Sequence, residues 1–146
     1  MNRTTDRGFS LLETMIVVAI IAVLATIALP SYAVYVKRAR ILEAVADLSN
    51  AHTRMQEYFL DERSYVDSGG VCGVPAPVAG TANAFSLACA ATATTFTYTA
   101  TGSAAKGMDG FVYTIDDAGA RATVSVPAGW SRTSDCWTIR ADGSCA

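Results

Sequence analysis

Apolar residues occupy nearly every position from 9 to 29, and this run differs sharply from the rest of the chain. Its one charged side chain is Glu13. A helix of this length is long enough to cross the hydrocarbon core of a bilayer. Residues 1–8 are polar and carry a net positive charge. Because basic flanks stay on the cytoplasmic side, the pattern predicts a transmembrane helix over residues 9–30 with the remainder of the chain outside the cytoplasm.

The pattern changes after Pro30. Proline has no N–H for the carbonyl of Thr26, so we expect a kink or local unwinding of the helix there. Over residues 31–61 the sequence predicts an amphipathic continuation of the helix, whose apolar face packs against a sheet. His52 on this face is interpreted as a packed histidine, since nothing nearby completes a metal or catalytic set. The residues of the face recur at alternating steps of four and three: Ile41, Val45, Leu48, His52, Met55 and Phe59.

The remaining part, residues 62–146, is predicted to form a small globular head. A connecting loop rich in glycine and proline precedes short runs with strand-like alternation. Asp116 to Gly119 supply turn chemistry between the last two long runs. Strands that follow one long helix predict an α+β fold, an antiparallel sheet laid on the helix. The runs are residues 84–89, 95–101, 111–116 and 122–126, with 136–140 as a short edge strand.

Composition limits the function classes. Eleven basic and thirteen acidic residues give a net charge of −2, so the chain has no overall attraction for nucleic acid. The sequence shows no nucleophile–base set, no phosphate-binding glycine loop and no metal cluster, so we expect neither an enzyme nor a cofactor. A local basic patch would permit DNA binding, and its candidate residues are Lys106, Arg121, Arg132 and Arg140.

The four cysteines lie at positions 72, 89, 136 and 145. No CxxC pair occurs and the single histidine lies elsewhere, so a zinc site is disfavoured. An even number of cysteines in a small exported domain is typical of disulfides. Three pairings satisfy the count.

The small residue expected at a signal cleavage site, Gly8, stands before the apolar run rather than after it. Cleavage after Gly8 would remove the charged leader, residues 1–8, and leave the helix attached. Glu13 would then lie close to the new amino group of Phe9. A carboxylate deep in a membrane costs about 2.5–3.5 kcal/mol, so such a residue needs a partner. The alternative is that Glu13 reaches the membrane interface.

The segment Gly8-Phe9-Ser10-Leu11-Leu12-Glu13 resembles the class III signal motif of type IV pilins and their pseudopilin relatives. The resemblance implies that a prepilin peptidase cuts after Gly8 and N-methylates Phe9, and that Glu13 serves processing or filament register. It also implies a type IV pilin fold. The expected partners are other pilins and an inner-membrane assembly platform. The subunit would sit in the inner membrane first and then in an extracellular pilus.

The C-terminal stretch from Gly129 to Cys145 is most similar to small minor pilins of the PilE type, which favours roles in pilus biogenesis, adhesion and twitching motility. Pilins have a disulfide-bounded loop at this place, so the favoured pairs are Cys136–Cys145 and Cys72–Cys89. Two alternatives stay open. One is a type II secretion pseudopilin, and the other is a DNA-uptake pilin.

Overall fold

The computed structural model describes residues 10–77 and 83–145, which form one long helix and a four-stranded sheet. A short 3-10 helix, Ala104–Lys106, lies between the second and third strands. The chain divides into two compact units, Met1–Val36 and Lys37–Ala146. The elements are helix α1 (Leu11–Glu62) and strands β1 (Phe85–Ala91), β2 (Phe96–Gly102), β3 (Val112–Asp116) and β4 (Arg121–Ser125).

The first unit contains the N-terminal part of α1. Ser10 stands before the first helical residue, and its Oγ accepts a hydrogen bond from the Glu13 N–H at 3.2 Å. Gly8 and Phe9 lie outside the described residues. The helix is continuous through position 30, so the local unwinding expected there is absent. The kink stays a prediction.

In the second unit the strands form one antiparallel sheet in the order β1-β2-β3-β4. The α+β prediction is therefore confirmed. The predicted turn joins β3 to β4, where Gly119 has a φ of 77° and Asp116 Oδ1 accepts from the Ala120 N–H at 2.8 Å. Glycine adopts this left-handed conformation without the steric cost that a side chain would add.

The helix face that packs on the sheet is centred differently from the predicted stripe. Ile41, Leu48 and Met55 are fully buried as expected. The residues completing the buried row are Ala44 and Ala51, whereas the predicted Val45, His52 and Phe59 are half-buried at its border. The alanines contribute small side chains to the core, and the large aromatic side chains come from the strands or from the residue next to one. The main ones are Phe96, Tyr98, Phe111 and Tyr113.

Two strand predictions were wrong by more than one residue. Strand β1 continues to Ala91, and the turn starts only at Thr92, whose Oγ1 accepts from the N–H of Thr95 at 3.0 Å. Residues 136–140 form no strand, and Thr138 makes an isolated bridge with Cys145. The carbonyl of Cys136 accepts from the side chain of Thr123 instead of from a neighbouring strand.

Two disulfides join Cys72 to Cys89 and Cys136 to Cys145. The first ties the loop after α1 to β1. The second closes the C-terminal segment. Every residue of the buried core, from Ile41 to Ile139, lies in the unit that contains both disulfides.

Candidate assembly helix and C-terminal surface

The first part of α1 exposes large apolar side chains around its circumference. Leu11 is 78% exposed and Leu24 is 61% exposed. The most apolar window of this helix has a mean hydropathy of 2.6, and none of it is buried. A helix that is apolar all round is typical of a membrane span or of a helix buried by other chains.

Glu13 occupies the third position of α1, and Ser10 is its N-cap. Ser-x-x-Glu is the spacing of a capping box, in which the serine side chain satisfies a helical N–H that has no partner in the first turn. The bond from the Glu13 N–H to Ser10 Oγ is this interaction. The positive end of the helix dipole also favours a carboxylate at this position. The helix start thus stabilises Glu13 before any other subunit is present.

The C-terminal segment covers the outer edge of β4. Thr123 of β4 donates its hydroxyl to the carbonyl of Cys136 at 2.6 Å, and its Oγ1 accepts from the Thr138 N–H at 2.9 Å. Arg132 donates from its guanidinium to the Val124 carbonyl at 2.9 Å. These bonds hold the C-terminal segment against β4 through the Thr123 side chain and through one backbone carbonyl, that of Val124.

Trp137 anchors this segment in the core. The indole is fully buried, and its Nε1–H donates to the Thr114 carbonyl at 2.9 Å. The guanidinium carbon of Arg121 lies 4.8 Å from the centre of the ring, a cation–π contact. Arg121 therefore has a structural contact in addition to its exposed charge.

A turn at Asp142 shapes the exposed end of the segment. Its Oδ1 accepts from Ser144 Oγ at 2.6 Å and from the Ser144 N–H at 2.9 Å. These two hydrogen bonds lower the pKa of Asp142, with a smaller contribution from the charge of Arg140. The carboxylate is therefore held in its charged form on the surface.

The four basic candidates are not gathered at one place. Lys106 lies in the connection between β2 and β3, and Arg121 follows the turn at the opposite end of β3. The length of β3 separates them, about 16 Å at 3.3 Å per residue. Arg132 and Arg140 do share a region, because the neighbouring residues Ser131 and Ala141 are joined by a backbone hydrogen bond of 2.9 Å.

Comparison with known proteins gives two family matches. A model described as "Prokaryotic N-terminal methylation motif" matches residues 3–29. A model described as "Type IV minor pilin ComP, DNA uptake sequence receptor" matches residues 30–110, more than half of the chain. The chain belongs to this family of type IV pilins.

The relatives of this pilin include several major pilins. It is 36% identical over 74 residues to the type IV major pilin protein PilE1 of Neisseria gonorrhoeae, which is 51% of this chain and 45% of that protein. It is 38% identical over 80 residues to the fimbrial protein EcpC of Eikenella corrodens, 55% of this chain and 52% of the relative. The pilin thus spans about half the length of the curated relatives that it matches.

A solved structure confirms the fold of the pilin. The non-core minor pilin PilV of Neisseria meningitidis superposes with a TM-score of 0.50 over 63% of this chain and 90% of that one, at 17% identity. At this identity the similarity supports the fold alone.

Sequence reasoning missed three contacts in the pilin. The Ser10 cap could have been predicted from the sequence, because Ser-x-x-Glu stands before an apolar run. The guanidinium of Arg40 donates to the carbonyl of Lys106, and Arg121 lies over Trp137. No sequence signal identifies these last two, since each joins residues far apart in the chain.

Proposed function

We propose that this pilin is a subunit of a type IV pilus filament and that it assembles through the exposed apolar part of α1. The observation that carries this proposal is the run Leu11 to Leu29, which has no apolar partner among the described residues. Such a helix is stable in lipid or among other apolar helices. Before assembly the subunit would lie in the inner membrane with its head outside the cytoplasm. It would then enter an extracellular filament.

Processing precedes assembly in this proposal. A prepilin peptidase cuts after Gly8, removes the leader of residues 1–8 and methylates the amino group of Phe9. The match of residues 3–29 to the methylation motif supports this step. An inner-membrane platform then extracts the subunit as other pilins replace the lipid around the helix.

Glu13 fixes the axial position of the subunit during assembly in this proposal. In a bundle of apolar helices a buried carboxylate is destabilising unless it pairs with a cation. In this proposal the cation is the amine of Phe9 from a neighbouring subunit. A subunit at the wrong axial position leaves the carboxylate without its partner. The pairing therefore selects one stagger among many that apolar packing alone permits.

The test is the N-terminus of the native protein. Mass spectrometry should find a chain that begins at methylated Phe9. The variant Gly8→Arg should stay uncleaved in the inner membrane and be absent from sheared filaments, whereas Ser10→Thr, which keeps a capping hydroxyl, should be processed normally. A native chain that retains residues 1–8, or one that starts well after Phe9, overturns the proposal.

DNA binding is a second candidate function, favoured by the match to a model whose description names a DNA uptake sequence receptor. Arg132 and Arg140 are the best placed of the basic residues, since they share one region of the C-terminal segment. Their contacts would be mainly to phosphates, which makes affinity fall steeply with salt. Replacing both by alanine should weaken DNA binding and reduce the salt slope by about two.

Lys106→Ala is the control, because Lys106 belongs to the connection between β2 and β3 and not to the C-terminal segment. An equal loss from Lys106→Ala and from the double variant would show that the binding site is not the C-terminal region. Affinity that does not change with salt would remove DNA binding as a candidate and would leave the filament proposal untouched.

A further inference from the structure

A cleft of about 260 Å³ lies between one side of α1 and the loop that follows Cys72. The helix side of the cleft carries three polar side chains, those of Asp47, Asn50 and Arg54. Their spacing of three and four positions places them along one side of the helix. Ligand sites usually measure about 300–1,000 Å³, so this cleft has room for a single small ring.

The opposite wall of the cleft is apolar and is held firmly in place. Its residues are Val74, Pro75 and Pro77. The carbonyl of Val74 accepts a hydrogen bond from the Tyr98 hydroxyl at 2.6 Å, and a disulfide ties the start of the loop to β1. Gly73 lies so close to Tyr58 of the helix that a Cβ would overlap the ring. A wall that is fixed before the ligand arrives lowers the entropic cost of binding.

The three polar side chains of the cleft offer both kinds of hydrogen-bonding group. Across residues 10–77 and 83–145, the side chains of Asp47, Asn50 and Arg54 make no hydrogen bond to the protein. A carboxylate only accepts, a guanidinium only donates, and an amide does both. Because the charges of Asp47 and Arg54 are opposite, the cleft as a whole favours neither an anion nor a cation. These groups suit a neutral ligand that both donates and accepts.

We propose that this cleft binds one uncharged sugar ring of a glycan. A pyranose ring has hydroxyl groups around its edge, which donate and accept, and C–H groups on its faces. The hydroxyl edge bonds to the three polar side chains of the helix, while a C–H face packs on the two prolines. An acidic sugar or a phosphate is disfavoured by the Asp47 carboxylate. This inference goes beyond the proposed filament, because it concerns the head alone and holds for an unassembled subunit as well.

Binding of simple glycosides to the full chain tests the proposal. The chain is kept in a detergent without a sugar headgroup, and the probes are the methyl glycosides of glucose, galactose, mannose and N-acetylglucosamine. Saturation-transfer difference NMR measures the Kd of each. We expect at least one probe to bind with a Kd on the order of 1 mM, as suits one ring held by a few hydrogen bonds.

Two variants of exposed cleft residues locate the binding. Asn50→Ala and Arg54→Ala should each weaken the binding of that glycoside about tenfold, because each removes hydrogen bonds to the ligand. Thr53→Ala is the matched control, since Thr53 is an exposed neighbour on the same helix that does not line the cleft. Circular dichroism should show the same fold for all three variants.

Absence of binding by all four glycosides overturns the proposal, and so does a Kd that neither cleft variant changes. The Kd should also be independent of salt, because screening acts on charged ligands and the sugar is neutral. Inorganic phosphate should not displace it. Displacement by phosphate would show that Arg54 belongs to an anion site, which also overturns the proposal. None of these outcomes bears on the filament, which is tested by the N-terminus of the native protein.

Discussion

Glu13 has a position in the first turn of the helix and a proposed role in the filament. It is the third residue of a capped helix, and its backbone N–H donates to Ser10 Oγ. In the proposed filament its carboxylate pairs with the amine of a neighbouring subunit. Glutamine keeps the hydrogen-bonding capacity that a capping box needs, but it has no charge. Glu13→Gln therefore removes only the charge, whereas Glu13→Ala removes the whole polar side chain.

We predict that Glu13→Gln is cleaved normally and enters filaments about as poorly as Glu13→Ala. The reason is that both lack the carboxylate that fixes the stagger, whereas both keep the backbone N–H that donates to Ser10 Oγ. The measurement is the fraction of subunit in sheared filaments relative to the membrane, with Thr14→Ala as control. Wild-type incorporation of Glu13→Gln would show that charge does not set the register.

Tyr98 is a titratable group of the head whose pKa is raised by burial and whose hydroxyl has a defined hydrogen-bond partner. Its hydroxyl donates to the Val74 carbonyl at 2.6 Å, and burial raises its pKa to about 12. The value in an unfolded chain is about 10. Because the folded-state pKa is the higher one, the contribution of this hydroxyl to stability is complete below pH about 10 and is lost as the pH rises through about 12.

Tyr98→Phe should therefore lower the free energy of unfolding at neutral pH by about 1–2 kcal/mol, since it leaves the Val74 carbonyl without its donor. It should also weaken the alkaline loss of stability. Denaturant unfolding at a series of pH values, with tyrosinate absorbance alongside, measures both effects. Tyr35→Phe is the control because Tyr35 is 71% exposed. An unchanged alkaline profile in Tyr98→Phe would assign that transition to another tyrosine, such as the buried Tyr113.

At the scale of elements, the sequence predicted the helix, the four strands and their antiparallel sheet, but not the order of the strands. Periodicity found Ile41, Leu48 and Met55 because large apolar residues give a strong signal. It missed Ala44 and Ala51, since alanine is equally common on exposed and buried faces of a helix. It also placed a strand at 136–140, where side chains of Thr123 and Thr138 replace the backbone ladder.

Ala51→Leu tests how tightly the core packs around this position of the helix. Ala51 is 3% exposed, so a larger side chain must displace packed neighbours, and we expect a loss of about 1–3 kcal/mol in the free energy of unfolding. Ala46→Leu, at an exposed position of the same helix, should change stability little. Denaturant unfolding of both variants gives the comparison. Equal stability of the two would mean that the sheet does not pack tightly at position 51.

The candidate assembly site was less predictable than the fold. Gly8, Phe9 and Glu13 are contiguous in a motif, so a short stretch of sequence sufficed to propose them. The placement of Arg121 over Trp137, and of Arg132 on Val124, depends on contacts between distant segments. Counting basic residues treats the four candidates as equivalent, whereas the fold separates Lys106 from Arg121 and brings Arg132 near Arg140.

For the whole molecule, the two units have opposite requirements. The first exposes an apolar helix that needs lipid or other helices, and the second holds the entire described core together with both disulfides. We predict that residues 37–146, exported to an oxidising compartment, are soluble and unfold cooperatively, while the full chain needs detergent. Each disulfide closes a short loop worth about 3 kcal/mol, which matters in so small a head.

Reduction of the two disulfides is the matched control for the prediction on the fragment of residues 37–146. The reduced fragment should unfold at a lower denaturant concentration, and its tryptophan fluorescence should shift because Trp137 loses the closed loop that holds it against Arg121. Circular dichroism and fluorescence of the oxidised and reduced fragments measure both changes. A fragment that is unfolded while oxidised would mean that the head needs the apolar half of α1 to fold. The prediction that residues 37–146 fold by themselves would then be wrong.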